Sequence, residues 1–455
     1  MHKVPNSIVD LIGNTPLLAV NRLDTGKCKL FLKLESWNPG GSIKDRPALA
    51  MIEQAEKEGL SKGDTIVEAT AGNTGIGLAL IAAQRGYKCI IVVPDKMAKE
   101  KIIHLIALGA EVIVTRSDVK KGHSEYYVDL AKKISKEKKA FYISQFTNKA
   151  NMQSHVDGTG KEIITQLAGK IDAFVAGVGT AGTIMGVGNV LRTLDRNIEL
   201  ILADPEGSIL TPIHQTGNMP ATVGSWIAEG IGEDHIPPLI DMDIITQAIP
   251  VSDFETIEAC RKLLICEGIL AGSSSGTLLA ASLKYCRNQK VAKNVVTLVC
   301  DTGDKYLSKI FNDIWVIRSG VSDNNLVKVS DLLAIKQIKN LVPSVGENYT
   351  LSMAFKIMNE YSLRYLPVVD EQGIPIGILT EKILMSAISG ESLDSKIGEQ
   401  NLEYTSVEMN KPLESIENIL QENTAVIVTD NSIYKGVLDR MDFIGYISKQ
   451  KGNTN

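Results

Sequence analysis

Short apolar runs alternate with amphipathic segments between about residues 29 and 312. The runs rich in β-branched residues predict strands at 29–34, 65–68, 89–93, 111–115, 173–177, 200–203 and 295–300. The segments with apolar residues at helical spacing predict helices at 45–59, 75–86, 99–108, 124–136, 150–167, 182–194, 255–267 and 274–286. Because the predicted strands are apolar throughout, the pattern indicates an α/β fold whose parallel strands are covered by helices on both faces.

The pattern changes after residues 319–325 (SGVSDNN), a small, polar and turn-prone stretch that is typical of a linker. Beyond it, residues 377–388 (GILTEKILMSAI) align without a gap to residues 436–447 (GVLDRMDFIGYI). Each copy is too small to bury its own apolar face, so we expect the two to pack together as one α+β domain. The predicted organisation is a domain at 1–318, a linker at 319–325 and a second domain at 326–455.

The composition excludes several classes of function. The 455 residues carry a formal net charge of -5, which disfavours nucleic-acid binding because no basic domain is present to neutralise phosphates. No apolar stretch approaches the roughly 18–20 residues of a membrane span, and residues 1–10 lack the apolar core of a secretory signal. The six cysteines form no CxxC pair and the histidines are scattered, which favours reduced thiols, no metal site and a cytoplasmic location.

A lysine follows a tight turn in residues 38–46 (NPGGSIKDR). The pattern places Lys44 at the start of a helix, where the positive end of the helix dipole disfavours an ammonium and should lower its pKa. A neutral amine is what Schiff-base chemistry requires. A solvent-facing lysine after a turn would give the same local pattern, so this segment does not decide the chemistry alone.

Two glycine-rich turns stand between a predicted strand and a predicted helix. Residues 68–75 (EATAGNTG) could bind a carboxylate through successive backbone N–H groups, and residues 178–183 (VGTAGT) could bind a phosphate at a helix N-terminus. Such turns also occur as bare connections or as dinucleotide sites. We therefore expect an anion site at each turn only if other motifs support the same chemistry.

Taken together, these motifs resemble the fold-type II pyridoxal-phosphate enzymes, specifically the cystathionine β-synthase and cysteine synthase family. The resemblance runs from residues 12–16 (IGNTP) to residues 301–307 (DTGDKYL) and implies tryptophan synthase β-like, doubly wound parallel sheets. It implies that Lys44 binds pyridoxal 5'-phosphate covalently and is the catalytic base. The implied cofactor contacts are Asn73 at the phenolic oxygen, Gly179, Thr180, Ala181, Gly182 and Thr183 at the phosphate, and Ser274 beside the pyridine nitrogen. The implied substrate contacts are Thr70, Ala71, Asn73, Thr74, Gln145, Glu229 and Gly230.

Two residues depart from the family pattern. Ala71 stands where the family usually has serine, which removes a hydroxyl but keeps the backbone N–H groups. Ala181 replaces a glycine of the phosphate loop, and we expect this to be tolerated if its φ angle is negative.

Several features bear on which branch of the family the chain resembles. Residues 204–210 (DPEGSIL) and 229–232 (EGIG) resemble the cystathionine β-synthase branch, whereas Phe146 is common in cysteine synthases. Glu229 could attract the ammonium of an amino-acid thiol, or it could simply form a structural pair. No Lys or Arg lies between Asp204 and Cys260, which disfavours a phosphoserine donor.

The sequence thus predicts condensation of L-serine with L-homocysteine to L-cystathionine and water, with hydrogen sulfide released when cysteine is the donor. The alternatives are a cysteine synthase that uses O-acetylserine and sulfide, and a ligand-sensing protein whose catalytic fold is only a scaffold. Amino acids are the expected small-molecule partners, and the resemblance implies a homodimer.

The C-terminal repeats resemble a tandem CBS-domain (Bateman) module, which binds adenosyl ligands through Thr and Asp of a G-[IV]-x-T-x-x-D segment. The first copy has Thr380 but Ile383 at the Asp position, and the second has Asp442 but Asp439 at the Thr position. Asp439 and Asp442 are therefore the candidate effector contacts. Two carboxylates would repel phosphates, which favours S-adenosylmethionine over AMP or ATP. A module used only for dimer contacts is the alternative.

Overall fold

The computed structural model describes residues 4–70, 72–95, 97–119, 122–321, 328–339, 343–390 and 393–452. The chain divides into two compact units, Met1–Phe311 and Asn312–Asn455. Residues 322–325 of the predicted linker lie outside the described residues, so the predicted domain limits stay a prediction. No helix in the described ranges is both long and apolar enough to cross a bilayer.

The described residues of the first unit form ten strands and ten α-helices. The strands are β1 (Leu17–Ala19), β2 (Lys29–Leu34), β3 (Thr65–Ala69), β4 (Lys88–Pro94), β5 (Glu111–Thr115), β6 (Phe141–Tyr142), β7 (Ala173–Ala176), β8 (Glu199–Pro205), β9 (Gln247–Val251) and β10 (Asn294–Val299). The helices are α1 (Asp45–Lys57), α2 (Asn73–Arg85), α3 (Lys99–Ala107), α4 (Tyr127–Glu137), α5 (Lys149–Ser154), α6 (Lys161–Gln166), α7 (Gly182–Leu194), α8 (Leu210–Thr216), α9 (Asp253–Glu267) and α10 (Ser273–Arg287).

The strands of the first unit form two sheets, in the orders β1-β2-β10-β7-β8-β9 and β5-β4-β3-β6. All pairs are parallel except β1 with β2. The central strands are buried and apolar, as in Ala173–Ala176, because helices cover both faces. The α/β architecture with parallel, doubly covered sheets is confirmed. Ligands in such sheets collect beyond the C-terminal strand ends, and the glycine-rich turns after β3 and β7 lie there.

The segment predicted as one helix at 150–167 is interrupted. A π-helical turn, His155–Gly160, separates α5 from α6. This segment packs closely against α7. A Cβ added at Gly186 would stand 2.5 Å from the Met152 carbonyl oxygen and 2.8 Å from His155 Cβ. Glycine at that position lets the two segments approach closely.

A buried ion network joins β2, α1 and α6. The Arg46 guanidinium donates to both oxygens of Glu35 and both oxygens of Glu162, over 2.6–2.9 Å. Lys33 Nζ also contacts Glu162, at 2.6 Å. Burial by itself raises the pKa of Glu162, but the Arg46 and Lys33 partners outweigh it and hold the pKa at about 2. Since Glu35 is fully buried, its charge depends on Arg46 for compensation.

The second unit contains two similar halves. Its helices are α11 (Asp313–Arg318), α12 (Val329–Lys339), α13 (Leu351–Glu360), α14 (Glu381–Gly390), α15 (Glu417–Glu422) and α16 (Arg440–Gly452). Its strands are β11 (Val345–Gly346), β12 (Tyr365–Val369), β13 (Pro375–Thr380), β14 (Ser406–Glu408), β15 (Ala425–Asp430) and β16 (Ile433–Asp439).

Each half has a three-stranded sheet, β11-β12-β13 or β14-β15-β16, and the strand–helix pair that ends each half repeats at the predicted spacing. An apolar cluster joins the two sheets, with Tyr365 and Ile378 from the first half and Ile427 and Val437 from the second. The prediction that the two copies pack together is confirmed. The core of the second half also includes Leu332 of α12, which precedes the first half in the chain.

Candidate functional site

Lys44 immediately precedes α1 and borders an open pocket of about 510 Å³. Within the described part of the chain, its Nζ makes no hydrogen bond and no ion pair. Burial lowers the pKa of the Lys44 amine, and the nearby Asp301 and Glu233 offset only part of the shift. The direction of the shift is the predicted one, and its largest cause is loss of solvent.

Nine of the predicted site residues line this pocket together with Lys44. They are Asn73, Gly179, Thr180, Ala181, Gly182, Thr183, Glu229, Gly230 and Ser274. They come from the first turn of α2, the loop between β7 and α7 with the start of α7, the loop after α8 and the first turn of α10. The topology thus brings together segments that are up to 230 positions apart along the chain, Lys44 and Ser274 being the most distant.

The loop before α7 has the geometry of an anion site. Residues 179–183 run directly into the N-terminus of a 13-residue helix, and Gly179 lies so close to the next loop that a Cβ there would stand 2.6 Å from the Gly230 carbonyl oxygen. Ala181 has φ 66°, so the condition under which the replacement was expected to be tolerated is not met. The chain must reverse from β7 into α7 at this residue, and the left-handed conformation costs an alanine about 1 kcal/mol.

Residues of α5 and the π turn support this loop from behind, and the sequence pattern did not single them out for a role in it. Asn151 Nδ2 donates to Thr180 Oγ1 at 2.9 Å and to the Gln145 carbonyl oxygen at 3.0 Å. His155 is fully buried, 3.3 Å from Thr183 Oγ1, and burial lowers its pKa well below the usual value. His155 is thus a core residue whose two ring nitrogens have hydroxyl partners in Thr159 and Thr183.

The carboxamide of Asn73 is held at both ends. Its Nδ2 donates to Asp301 Oδ2 at 2.7 Å, and its Oδ1 accepts from Lys305 Nζ at 3.0 Å. Burial lowers the pKa of Lys305, while Asp301 and Asp45 act in the opposite direction. Neither Lys305 nor Asp301 was assigned a role from the sequence, although both stand in the 301–307 motif.

The residues predicted to hold the substrate carboxylate form a cluster of their own. Thr74 Oγ1 donates to Gln145 Oε1 at 2.7 Å, Gln145 Nε2 donates to the Ala69 carbonyl oxygen, and Thr70 Oγ1 accepts from the Gly72 N–H. Thr70, Thr74 and Gln145 are not among the described side chains that line the pocket. Ala71 lies outside the described residues.

Glu68 supports this cluster from beneath. Its carboxylate accepts from the backbone N–H groups of Ala69 and Gln145. Complete burial raises the pKa of Glu68 to about 8, although these hydrogen bonds act against the rise.

Glu229 is a member of an ion triad. Its two oxygens contact Lys101 Nζ and Lys309 Nζ, each at 2.6 Å, and Lys101 also donates to Tyr306 Oη at 2.9 Å. Burial by itself raises the pKa of Glu229, but the two lysines outweigh it and the pKa is lowered. The hypothesis that Glu229 attracts an ammonium is therefore corrected, because two cations already surround this carboxylate.

The triad also corrects the inference drawn from the segment between Asp204 and Cys260. That segment holds no cation, but the fold brings Lys101 and Lys309 to it from elsewhere in the chain. The absence of a local cation therefore does not exclude a phosphorylated donor.

Ser274 lies in the first turn of α10, buried beside the pocket. It hydrogen-bonds the thiol of Cys300, another pocket residue. Burial raises the pKa of Cys300 to about 12, so the thiol stays protonated and neutral at physiological pH. Ser274 and Cys300 give this part of the pocket neutral polar groups and no carboxylate.

The candidate effector residues occupy the second unit. Asp439 and Asp442 each accept the other's backbone N–H, which is a capping arrangement at the N-terminus of α16. Lys336 Nζ contacts both carboxylates, at 3.2 and 2.6 Å, and Tyr365 donates to Asp439. The picture of two uncompensated carboxylates is thus wrong, because Lys336 neutralises part of their charge.

The first unit fits pyridoxal phosphate. An unpaired buried amine faces the pocket, backbone N–H groups begin a long helix beside it, and Gly179 leaves a cradle that a side chain would fill. A sequence model described as "Pyridoxal-phosphate dependent enzyme" matches residues 8–301, and one described as "CBS domain" matches residues 335–390. The chain is 37% identical over 478 residues to "Cystathionine beta-synthase" of Apis mellifera, covering 100% of this chain and 93% of that protein. The chain belongs to the cystathionine β-synthase family of pyridoxal-phosphate dependent enzymes.

Two further similarities cover about two thirds of the chain. "Cysteine synthase" of Staphylococcus aureus is 42% identical over 310 residues, which are 67% of this chain and 96% of that protein. The solved structure of a hydrogen sulfide-producing enzyme from Fusobacterium nucleatum has 38% identity and a TM-score of 0.62, and it covers 67% of this chain and 100% of that chain. The predicted enzyme class, cofactor, fold type and C-terminal CBS domain are confirmed.

Proposed function

We propose that this enzyme condenses L-serine with L-homocysteine to L-cystathionine and water. The observation that carries this proposal is the length of the likeness to the Apis mellifera relative, which includes the catalytic unit and the C-terminal repeats together. The similarity to the cysteine synthase stops at two thirds of the chain.

The pocket residues suit a replacement at the β-carbon of serine. Bound pyridoxal phosphate supplies an electron sink for the substrate Cα. Lys44 Nζ, whose pKa is lowered by burial, would take the Cα proton and then deliver a proton to the departing hydroxyl. Asn73 would donate to the phenolic oxygen of the cofactor, and Ser274 would offer a neutral hydroxyl to its pyridine nitrogen.

The anion sites hold the two ligands in register. The backbone N–H groups of residues 179–183 and the Thr180 and Thr183 hydroxyls would hold the cofactor phosphate. Thr70, Ala71, Asn73 and Thr74 with Gln145 bind the substrate carboxylate, and the buried Glu68 fixes the Gln145 backbone beneath them.

The ion triad at the pocket favours a thiol substrate that carries a carboxylate. Lys101 and Lys309 bring two positive charges to the single negative charge of Glu229, so the triad has a net charge of +1. A carboxylate of the incoming amino acid would be attracted there. Inorganic sulfide has no carboxylate that could accept hydrogen bonds from the two lysines.

Replacing Lys309 by methionine should raise the KM for homocysteine about tenfold, since a hydrogen bond from one charged donor to the substrate carboxylate is lost. The KM for serine should stay within about twofold. Initial rates at varied homocysteine and varied serine provide both values. Lys262→Met, which removes an exposed ion pair with Glu258, is the matched control and should change neither. An unchanged KM for homocysteine in the Lys309 variant would contradict this role.

A second candidate function is cysteine synthesis from O-acetylserine and sulfide, or release of hydrogen sulfide from cysteine. The 42% identity to the Staphylococcus aureus protein and the Fusobacterium nucleatum structure favour it. The same pocket chemistry would serve, with a different leaving group and thiol. Product analysis after separate incubation with serine plus homocysteine and with O-acetylserine plus sulfide distinguishes the two functions.

The effector, the homodimer and the cytoplasmic location also belong to the proposal. A nucleotide at Asp439 and Asp442 would have to displace Lys336 or bind the two carboxylates beside it. These two carboxylates carry more negative charge than the single Lys336 ammonium offsets. We expect weak or absent S-adenosylmethionine binding and no micromolar binding of AMP or ATP. Calorimetry with each nucleotide, alongside rates with serine and homocysteine, tests this. Micromolar AMP binding that changes the rate would be the opposite result.

A further inference from the structure

The orientation of the Asn73 carboxamide is determined by its two charged partners. An ammonium only donates hydrogen bonds and a carboxylate only accepts them. Lys305 therefore requires Oδ1 on its side, and Asp301 requires Nδ2 on the other side. In this orientation the second N–H of Nδ2 remains available, and Asn73 lines the pocket.

Asp301 is itself held in place. The Tyr306 hydroxyl donates to the same Oδ2 atom at 2.7 Å, and Asp301 is fully buried. The acceptor for Asn73 Nδ2 is thus fixed by a tyrosine of the same motif. The other charged partner of Asn73 is Lys305, which holds the Oδ1 end of the amide.

Lys305 also contacts the turn that precedes Lys44. Its Nζ donates to the carbonyl oxygens of Gly40 at 2.9 Å and Gly41 at 3.3 Å, in addition to Asn73 Oδ1. These three acceptors match the three hydrogens of an ammonium. The side chain is 6% exposed, so an alternative position in water is not within reach. One buried lysine thus connects the amide of Asn73 to the turn that carries the catalytic amine.

We propose that Lys305 is a positioning residue that directs the Asn73 N–H group toward the cofactor. The proposal rests on the proposed contact between Asn73 and the phenolic oxygen. Without the ammonium, the Oδ1 end of the amide loses its charged partner, and the Asn73 N–H group is directed toward the cofactor oxygen less firmly. The turn at Gly40 and Gly41 loses its anchor at the same time. Both changes would alter the hydrogen bonding and electrostatics around the bound cofactor.

The test compares the holoenzyme of Lys305→Met with the wild type. We expect a shifted visible absorption band, because the hydrogen bond to the phenolic oxygen is weakened. We also expect the dissociation constant of pyridoxal phosphate, measured by titration of the apoprotein, to rise about tenfold, since the lost interaction involves a charged group. Lys305→Arg, which keeps a buried cation with several donors, should restore most of both properties.

Lys293→Met is the matched control. Lys293 is anchored in a similar way, by Glu199 and Tyr285, but at the N-terminal end of β10, away from the pocket. It should lower the unfolding temperature without changing the absorption band. A Lys305→Met enzyme with the wild-type band and dissociation constant would overturn the proposal. If that variant does not fold, Lys305→Gln takes its place, since one amide cannot serve all three acceptors, and an unchanged band there has the same meaning. Failure of the serine and homocysteine reaction with these effects intact would instead count against the proposed function.

Discussion

Lys44→Ala is expected to abolish turnover, with a loss of at least about 10⁴-fold in kcat, because the covalent anchor and the acid–base group disappear together. Lys44 is the pocket residue whose amine is buried, makes no hydrogen bond in the described structure and has a lowered pKa. Steady-state rates with serine and homocysteine measure the loss. Borohydride reduction followed by peptide mass spectrometry should place the cofactor mass on residues 38–46 of the wild type and nowhere in the variant.

A matched control is Lys284→Ala, which removes a partly exposed ion pair with Glu255. That variant should keep both the rate and the labelled peptide. Near-normal turnover of Lys44→Ala, or a cofactor mass on another lysine of the wild type, would contradict the assignment of the catalytic residue.

Arg46→Met should lower the free energy of unfolding of the first unit by about 3–5 kcal/mol, because it leaves Glu35 buried without a cation. The guanidinium makes hydrogen bonds to both carboxylates of the network, and Glu35 is fully buried. In a unit of this size the melting temperature should fall by about 10 °C. Thermal unfolding followed by circular dichroism measures the change.

The comparison with a surface pair separates this effect from the general loss of an arginine. Arg85→Met removes pairs with Glu53 and Glu56 and should cost no more than about 1 kcal/mol. Combining Arg46→Met with Glu35→Leu should recover part of the loss, since the uncompensated charge is gone. A loss in Arg46→Met no larger than in Arg85→Met would show that the network does not support the fold.

Local pattern was sufficient for the elements that form the site. The runs at 29–34, 111–115 and 182–194 coincide with β2, β5 and α7, because a buried strand or helix leaves its period in the sequence. The short strands β1 and β6 and the edge strand β9, which contains Pro250, leave little period and were not predicted. The π turn was not predicted. It accompanies the close approach of α7, and the spacing of apolar residues along the sequence does not show such a contact.

The partners of the site residues could not be predicted for the same reason. Glu229 meets Lys101 and Lys309, which stand 128 and 80 positions away in the chain. The sequence shows each charged residue but not the fold that brings the charges together. The sequence-based hypothesis therefore paired Glu229 with a substrate ammonium, whereas the structure pairs it with two lysines. Lys336 likewise lies 103 and 106 positions before Asp439 and Asp442. The sequence therefore identifies the glycine-rich turns, whereas the ion pairs beside them are seen only in the folded structure.

The most direct test of the proposed reaction is one competition experiment. The purified holoenzyme is incubated with ¹³C-labelled serine, unlabelled O-acetylserine, homocysteine and sulfide at equal concentrations, and the products are resolved by mass spectrometry. The proposed function predicts labelled cystathionine as the main product. Unlabelled cysteine as the main product would contradict it and assign the enzyme to cysteine synthesis.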